Sequence, residues 1–543
     1  MNISHPRLAG PVGAGHPAVR ERRIREALLI GLAGLVPAAV GVGLVVALPH
    51  PNLALVTGAI VGTLGIVWLI VCTRLEVTVG LLAVYLGMID GPLKLGTGGG
   101  EVTAAVRNVL ILAICLGAIL RIVVRRERVQ MPPLTAWVLG FVVIVLIEVF
   151  NPKTHGVLHM LGGLRQQLQW VPFFFFGYAL MRTKKRFRQM FIIVGVCALA
   201  NGVVATYQTG LSPAQLAKWG PGYGAKVTAG EVGGKSSSSR TYFSEGEARV
   251  RPLGLGADAG FGGGVGVLAL PFTLALFATW RSRRRWIAAV LALGALVAVI
   301  TGLGRLQVVG AALGVIAFAA LASTAGRRFS RALGALLAMI VLAVPVGYVF
   351  VSAVRPGTFK RYSSIAPSEV ATTAPTHKAS SWEKIPSLIG KAPFGVGLGT
   401  VGAASGFGGR ITELVEGHTV SAETQYNLIA DELGGPGLII WIGLSLYVIV
   451  LVGRRLRHTA DSELAIDLAG AMAPFVALTL EGFSGPFTTS AAAGPYFWFA
   501  IGIAAYWFGS GRYKRAVVED GARVLVTDAA ALPASEPLRP ALA

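Results

Sequence analysis

The stretch RTKKRFRQMFIIVGVCALANGVVATYQTG, residues 182–210, places five basic residues in its first seven positions and then twenty residues without a charge, from 189 to 208. As a helix, an apolar run of that length covers about 30 Å, the hydrocarbon thickness of a bilayer. It reads as a transmembrane helix with a cationic foot held in water. Thirteen further apolar runs follow the same rule, at approximately 27–48, 52–72, 76–93, 105–124, 134–150, 168–181, 255–279, 286–303, 306–323, 332–352, 430–452, 464–482 and 495–508. Those at 168–181 and 495–508 are short. The expectation is an all-α polytopic membrane protein with about 14 (12–14) transmembrane helices and a large extracytoplasmic loop containing short helices.

Composition agrees. Of 543 residues, 54% are hydrophobic and 14% charged, against about 25% charged in soluble domains. A soluble enzyme, a disordered chain and a secreted disulfide scaffold are excluded. Cys72, Cys115 and Cys197 each lie within an apolar run, where they read as small packing residues rather than a disulfide or metal framework. The net charge of +22 reflects topology, not nucleic-acid binding. With the N-terminus inside, Arg74, RRER from Arg125, RTKKRFR from Arg182, RSRRR from Arg281, RRFSR from Arg327, RRLR from Arg454 and RYKR from Arg512 all fall on the cytoplasmic side.

The organisation that follows is a cytoplasmic N-terminal tail at 1–26 and a transmembrane bundle at 27–352 (spans 1–11) with an extracytoplasmic loop at 209–254. A large extracytoplasmic loop follows at 353–429, then spans 12–14 at 430–508 and a disordered cytoplasmic tail at 509–543, which offers a docking segment for partner proteins. The apolar run after the first tail is too long for a signal-peptide core, so that tail reads as uncleaved. The loop at 209–254 contains a Gly- and Ser-rich stretch, 221–254, without apolar periodicity, which is expected to be mobile or ordered only by a ligand. In SSWEKIPSLIGKAPFGVGLGTVG, residues 380–402, Trp382, Ile385, Leu388 and Ile389 recur at helical spacing. That predicts a short amphipathic helix near the outer membrane surface. Gly397, Gly399 and Gly402 spell Gly-x-Gly-x-x-Gly with no strand before them, and read as turn chemistry. Gly310 and Gly314 read as helix packing. Asp90, Glu148, Asp258, Arg305, Glu432 and Glu481 all fall toward the outer ends of their helices, not at the midplane expected of a coupled transporter.

Three segments carry the functional signal: VRPLGLGADAGFGGG (250–264) with Arg251, TGLGRLQVVGAALG (301–314) with Arg305, and GHTVSAETQYNLIADELGGPG (417–437). Their order resembles the O-antigen ligase and Wzy-type polymerase superfamily, integral membrane glycosyltransferases acting on polyprenyl-diphosphate-linked glycans at the outer face of the cytoplasmic membrane. The resemblance covers roughly 165–500. It implies that Arg251 and the Thr301–Arg305 hairpin belong to the substrate site, with Gly304 where the family usually has Ser. It matches Arg361 or Lys378, Trp382, and Pro393 with Gly395, Gly397 and Gly399 to the family's large loop. Glu423, Tyr426, Glu432 and Gly434 match its closing segment, where ligases carry a His at the position of Glu423; His418 stands five residues earlier.

A sugar diphosphate leaving group carries about two negative charges, and guanidinium groups match phosphate oxygens in pairs. Arg251 and Arg305, with Arg361 and Lys378 from the large loop, would hold the diphosphate and stabilise the charge that builds on it, with no metal and no cofactor. Glu423 or His418 would accept the proton of the acceptor hydroxyl, with inversion at the anomeric carbon. Trp382, Tyr426 and Glu432 would support the site. The expected partners are the bilayer, a polyprenyl-diphosphate-linked donor and acceptor, and proteins of a polysaccharide-assembly complex. The expected location is a bacterial inner membrane with both termini cytoplasmic and the active face outside. Rival readings are a ligase delivering a finished glycan to a lipid, protein or cell-wall acceptor, a transporter or lipid flippase, and a scaffold subunit without chemistry.

Overall fold

The computed structural model describes residues 53–72, 74–98, 101–125, 131–154, 156–228, 241–244, 247–324, 334, 380–406, 424–509, 516–519 and 522–525. They are overwhelmingly helical, and eight helices among them are long and apolar enough to cross a membrane. The protein is a multi-pass helical membrane protein. The candidate spans at 27–48 and 332–352 lie outside the described residues, apart from residue 334.

The described residues form two compact units, one from 53–79 and 106–125, the other from the remainder. In the smaller, α1 (Leu53–Val71) packs on α3 (Glu101–Arg125): Gly117 lies against the backbone of Ile70, and Arg121 donates to the carbonyls of Ile70 and Cys72. These carbonyls end a helix and have no partner within it, so a long cation from a neighbouring helix satisfies them.

The larger unit contains most of α2 (Leu75–Gly96), then α4 (Thr135–Ile147), α5 (Gly156–Leu168), α6 (Pro172–Leu180), α7 (Lys184–Thr209), α8 (Pro213–Ala217) and α9 (Pro221–Thr228). A hairpin of β1 (Thr241–Ser244) and β2 (Glu247–Val250) follows. Then come α10 (Phe261–Thr279), α11 (Arg283–Thr301), α12 (Arg305–Ser323), α13 (Ser380–Lys391), α14 (Gln425–Arg455), α15 (Ser462–Glu481) and α16 (Ala493–Ala504). Small residues let the central helices approach: Gly202 of α7 meets the carbonyl of Gly294 on α11, and Gly266 of α10 that of Ala295. Val203, Ile316 and Ile439 stand more than half exposed on the spans, which suits lipid rather than water.

Two local expectations change. The run at 168–181 forms only the nine-residue α6, about 13 Å long and too short to cross alone. Its Phe173, Phe174 and Phe176 are buried against the protein, so its hydropathy reflects core and not lipid. The stretch at 221–254 is ordered in its described parts, because its Tyr223, Val250 and Leu253 share a small core with Leu95 and Leu216. Within the tail at 509–543, Ala516–Glu519 and Ala522–Leu525 pair as an antiparallel hairpin.

Cations collect at one end of this unit. At the start of α7, Lys184 pairs with Asp461 at 2.9 Å, and Arg188 with Glu463 at 3.1 Å and Asp467 at 3.3 Å, at the start of α15. Arg455, closing α14, donates to the carbonyl of Phe508. Burial alone would push the Asp461 carboxyl up, but the Lys184 hydrogen bond and the N–H of Leu464 outweigh it and hold it below the usual carboxylate range. A depressed carboxylate stabilises the fold above its unfolded value of about 3.9 and loses that contribution as pH falls through the folded one. Acid therefore weakens this clamp only below the ordinary Asp range. Asp461→Ala, which also removes the N-cap of α15, is expected to cost about 2 kcal/mol, measurable as a lower thermal midpoint in detergent at neutral pH. The difference should shrink in strong acid.

Candidate functional site

The opposite end of the unit gathers the loops. Its anchor is Glu432, fully buried on α14. Its Oε2 accepts from Gln167 Nε2 at 2.7 Å, and its Oε1 from Gln166 Nε2 at 3.2 Å and the N–H of Gly399 at 3.1 Å. Gln166 also donates to Val401 O at 3.2 Å and accepts from Ala404 N at 3.0 Å. One carboxylate and two amides thus fasten the Gly-rich segment 393–404 to α5 and α14. A buried carboxylate is tolerable because its lone pairs are answered.

Local backbone chemistry makes this fit possible. Gly434 breaks α14 with φ +63° and ψ −160°, a region closed to residues with a Cβ. The break frees carbonyls and N–H groups for the loop: Val396 N donates to Asp431 O at 2.7 Å, and Gly435 N to Pro393 O at 2.9 Å. A Cβ at Gly434 would strike Pro393 O, and one at Gly399 would strike the carbonyl of His159 on α5. The turn reading of the spaced glycines holds.

Beside the lock stands an aromatic wall. Trp382 stacks on Phe483 at 4.8 Å and meets Tyr426 at 5.4 Å, while Tyr426 and Phe483 lie 4.7 Å apart. Trp382 Nε1 donates to Phe483 O at 3.3 Å, and the Tyr426 hydroxyl donates to Thr479 O at 2.9 Å. Helix α13 therefore lies with Trp382 against Tyr426 of α14 and with Ile389 against Gly435, its amphipathic face turned to protein. The short amphipathic helix that the sequence predicts is thus present.

The two arginine loops enter from the other side. Gln208, ending α7, grips the segment after Arg251: its Oε1 accepts from Leu253 N and Gly254 N, both at 2.8 Å, and its Nε2 donates to Gly254 O at 3.0 Å. Asn201, about two turns deeper, accepts from Leu255 N and donates to Gly87 O, both at 2.8 Å. Gly87 lies in the π-helical turn Tyr85–Ile89 of α2. Arg251 is half-buried in this loop, and Arg305 is exposed as the first residue of α12. The Gln307 side chain, next but one to Arg305, fills the space beside Gly260, Gly263 and Gly304, holding the Arg305 hairpin against the start of α10. Leu306 touches Gly485, in the turn that follows Phe483. Among the sequence-predicted residues, the structure thus brings Trp382 into contact with Tyr426, six residues before the Glu432 lock, and places Arg251 and Arg305 on the neighbouring loops. Arg361, Lys378, His418 and Glu423 lie outside the described residues.

Sequence reading missed Gln166 and Gln167, whose only signal is a polar triplet, Arg165-Gln166-Gln167, inside an apolar segment. It also missed Arg165 itself. Burial lowers the pKa of that guanidinium, and the charge of Asp90, which Lys94 pairs at 2.7 Å, opposes the shift. Among the described residues no cluster of His, Cys, Asp or Glu is arranged to hold a metal. Comparison with protein-family models finds no match to the chain, and neither does comparison with curated proteins.

Proposed function

We propose that the chain is a membrane glycosyltransferase that polymerises or transfers undecaprenyl-diphosphate-linked oligosaccharide units at the outer face of a bacterial cytoplasmic membrane, for cell-surface or exopolysaccharide biosynthesis. In this reading an even number of spans, 12 or 14, keeps both termini in the cytoplasm, and the loops at 209–254 and 353–429 face outward. The observation that carries it is the gathering, at one end of the bundle, of the Arg305 hairpin, the loop after Arg251, the Trp382–Tyr426–Phe483 wall and the Glu432 lock.

The chemistry follows from charge. As the glycosidic bond breaks, negative charge accumulates on the diphosphate, and guanidinium groups of Arg251 and Arg305 stabilise that state more than the ground state. Arg361 and Lys378 are further candidates for the same task, and Glu423 or His418 for the proton of the attacking hydroxyl. A single displacement inverts the anomeric centre.

The test is purified protein in nanodiscs with an undecaprenyl-diphosphate-linked oligosaccharide and no added metal. A ladder of longer glycans supports the polymerase form. Transfer of a preformed glycan to an added acceptor supports the ligase form. Transport across vesicles without any new glycosidic bond refutes both.

A further inference from the structure

Each carboxylate at the loop end can be asked what compensates its burial. Glu432 has three hydrogen-bond donors, Glu148 has the Asn151 amide at 2.7 Å, and Asp90 has Lys94 at 2.7 Å and the Tyr85 hydroxyl at 3.4 Å. Asp258 pairs with Lys226 at 2.8 Å, and Lys384 acts electrostatically on Asp431. Glu481 is different. It is 8% exposed, and among the described residues neither a hydrogen-bond donor nor a cation answers its carboxylate. A buried carboxyl group without partners is costly, and a fold that keeps one in a functional region uses it.

Its place says for what. Glu481 ends α15, immediately before the turn that carries Phe483 of the aromatic wall, and one carboxylate oxygen rests on α12 where a side chain at residue 310 would be. Gly310 is thus a seat for this carboxylate, where the sequence suggested only helix packing. Arg305 begins the same helix five residues earlier, about 7.5 Å away along the axis. That separation suits a displacement in which leaving group and attacking oxygen lie on opposite sides of one carbon.

We propose that Glu481 is the general base of the transfer, an inference that rests on the glycosyltransferase reading. The acceptor hydroxyl gives its proton to Glu481 as its oxygen bonds to the anomeric carbon. The bond from that carbon to the diphosphate oxygen breaks, and its electron pair leaves on the lipid diphosphate. The proton then passes to water. The other titratable groups on elements packed against α15 are Arg305 on α12, Tyr426, Asp431 and Glu432 near the start of α14, Tyr447 further along it, Tyr496 on α16, and Cys197 and Tyr207 on α7; α10 carries none, and Lys184, Lys185, Arg186 and Arg188 of α7 lie at the far end with Arg454, Arg455, Arg457 and His458.

The experiment measures kcat/KM against pH in nanodiscs with an undecaprenyl-diphosphate-linked oligosaccharide, for wild type, Glu481→Gln, Glu481→Asp, His418→Ala and Glu423→Gln. Glu481→Gln loses no hydrogen bond among the described residues and should fold. It is expected to transfer about 100- to 10,000-fold more slowly, to lose the acid limb of the profile and to bind donor as wild type does. Glu481→Asp should keep the limb at a reduced rate. If wild type is active and Glu481→Gln retains its rate and limb, or if the limb disappears only in His418→Ala or Glu423→Gln, the proposal is overturned. Should Glu481→Gln fail to fold, a Glu481→Asp protein indistinguishable from wild type overturns it equally. A wild type that makes no glycosidic bond overturns the functional reading itself, a separate outcome.

Discussion

Arg305→Ala is expected to reduce glycosyl transfer by about 100-fold or more while the protein stays inserted and folded. The two halves of that expectation have separate causes. Arg305 is exposed and makes no ion pair or hydrogen bond among the described residues, so its truncation removes little that supports the fold. In the proposed reaction, however, it supplies paired donors to a diphosphate whose charge grows in the transition state, and removing one such donor group elsewhere typically costs two to three orders of magnitude. Arg305→Lys should recover part of the loss, since it restores charge but not the planar pair of N–H groups. Arg251→Ala should behave similarly in rate, with some loss of thermal midpoint because its loop is partly buried. Glycan ladders and midpoints on the same preparations decide it. Full-length product from both Ala variants would remove Arg251 and Arg305 from the mechanism.

The second large effect is on the fold. Glu432→Ala is expected to destabilise the protein by about 3–5 kcal/mol, the range for stripping one member from a buried polar network. Gln167 Nε2 and Gly399 N would lose their acceptor, and Gln166 would keep only Val401 O and Ala404 N. Glu432→Gln should cost less, because one amide oxygen still accepts, but its NH₂ group must face a donor. Thermal midpoint and protease cleavage within 393–406 measure both. A Glu432→Ala protein as stable and protease-resistant as wild type would show that the segment is held by its other contacts.

What the sequence disclosed depended on whether the deciding interaction was local. Helices such as Lys184–Thr209 and Arg305–Ser323 announce themselves through uncharged length, and the cationic end of the bundle through clusters at alternate loops. The nine-residue α6 could not be told from a span, because a run of phenylalanines has the same hydropathy whether it faces lipid or a protein core. The ordered part of 209–254 was hidden because its core draws one or two residues from each of several short pieces and so shows no period. Trp382, Tyr426, Glu432 and the spaced glycines could be picked out in the sequence, but the contacts that join them could not. The glutamines that answer Glu432 stand more than 260 positions away in the chain, and no local pattern marks such a pairing. Glu481 was visible as a charge at a helix end, but that no donor or cation among the described residues answers it is a fact of packing.

The clamp between Lys184 and Asp461 has a consequence for how the chain is made. Its halves are 277 residues apart, so at the usual 5–20 residues per second of synthesis about 14–55 s pass between them. Throughout that interval the ammonium and guanidinium groups at the foot of α7 have no carboxylates to meet and must stay in the aqueous layer, which prevents that helix from sliding inward. Arrival of the late acidic helix then converts a temporary brake on insertion into a permanent fastener. A ribosome stalled before residue 461 should therefore leave the early helices oriented but unlatched.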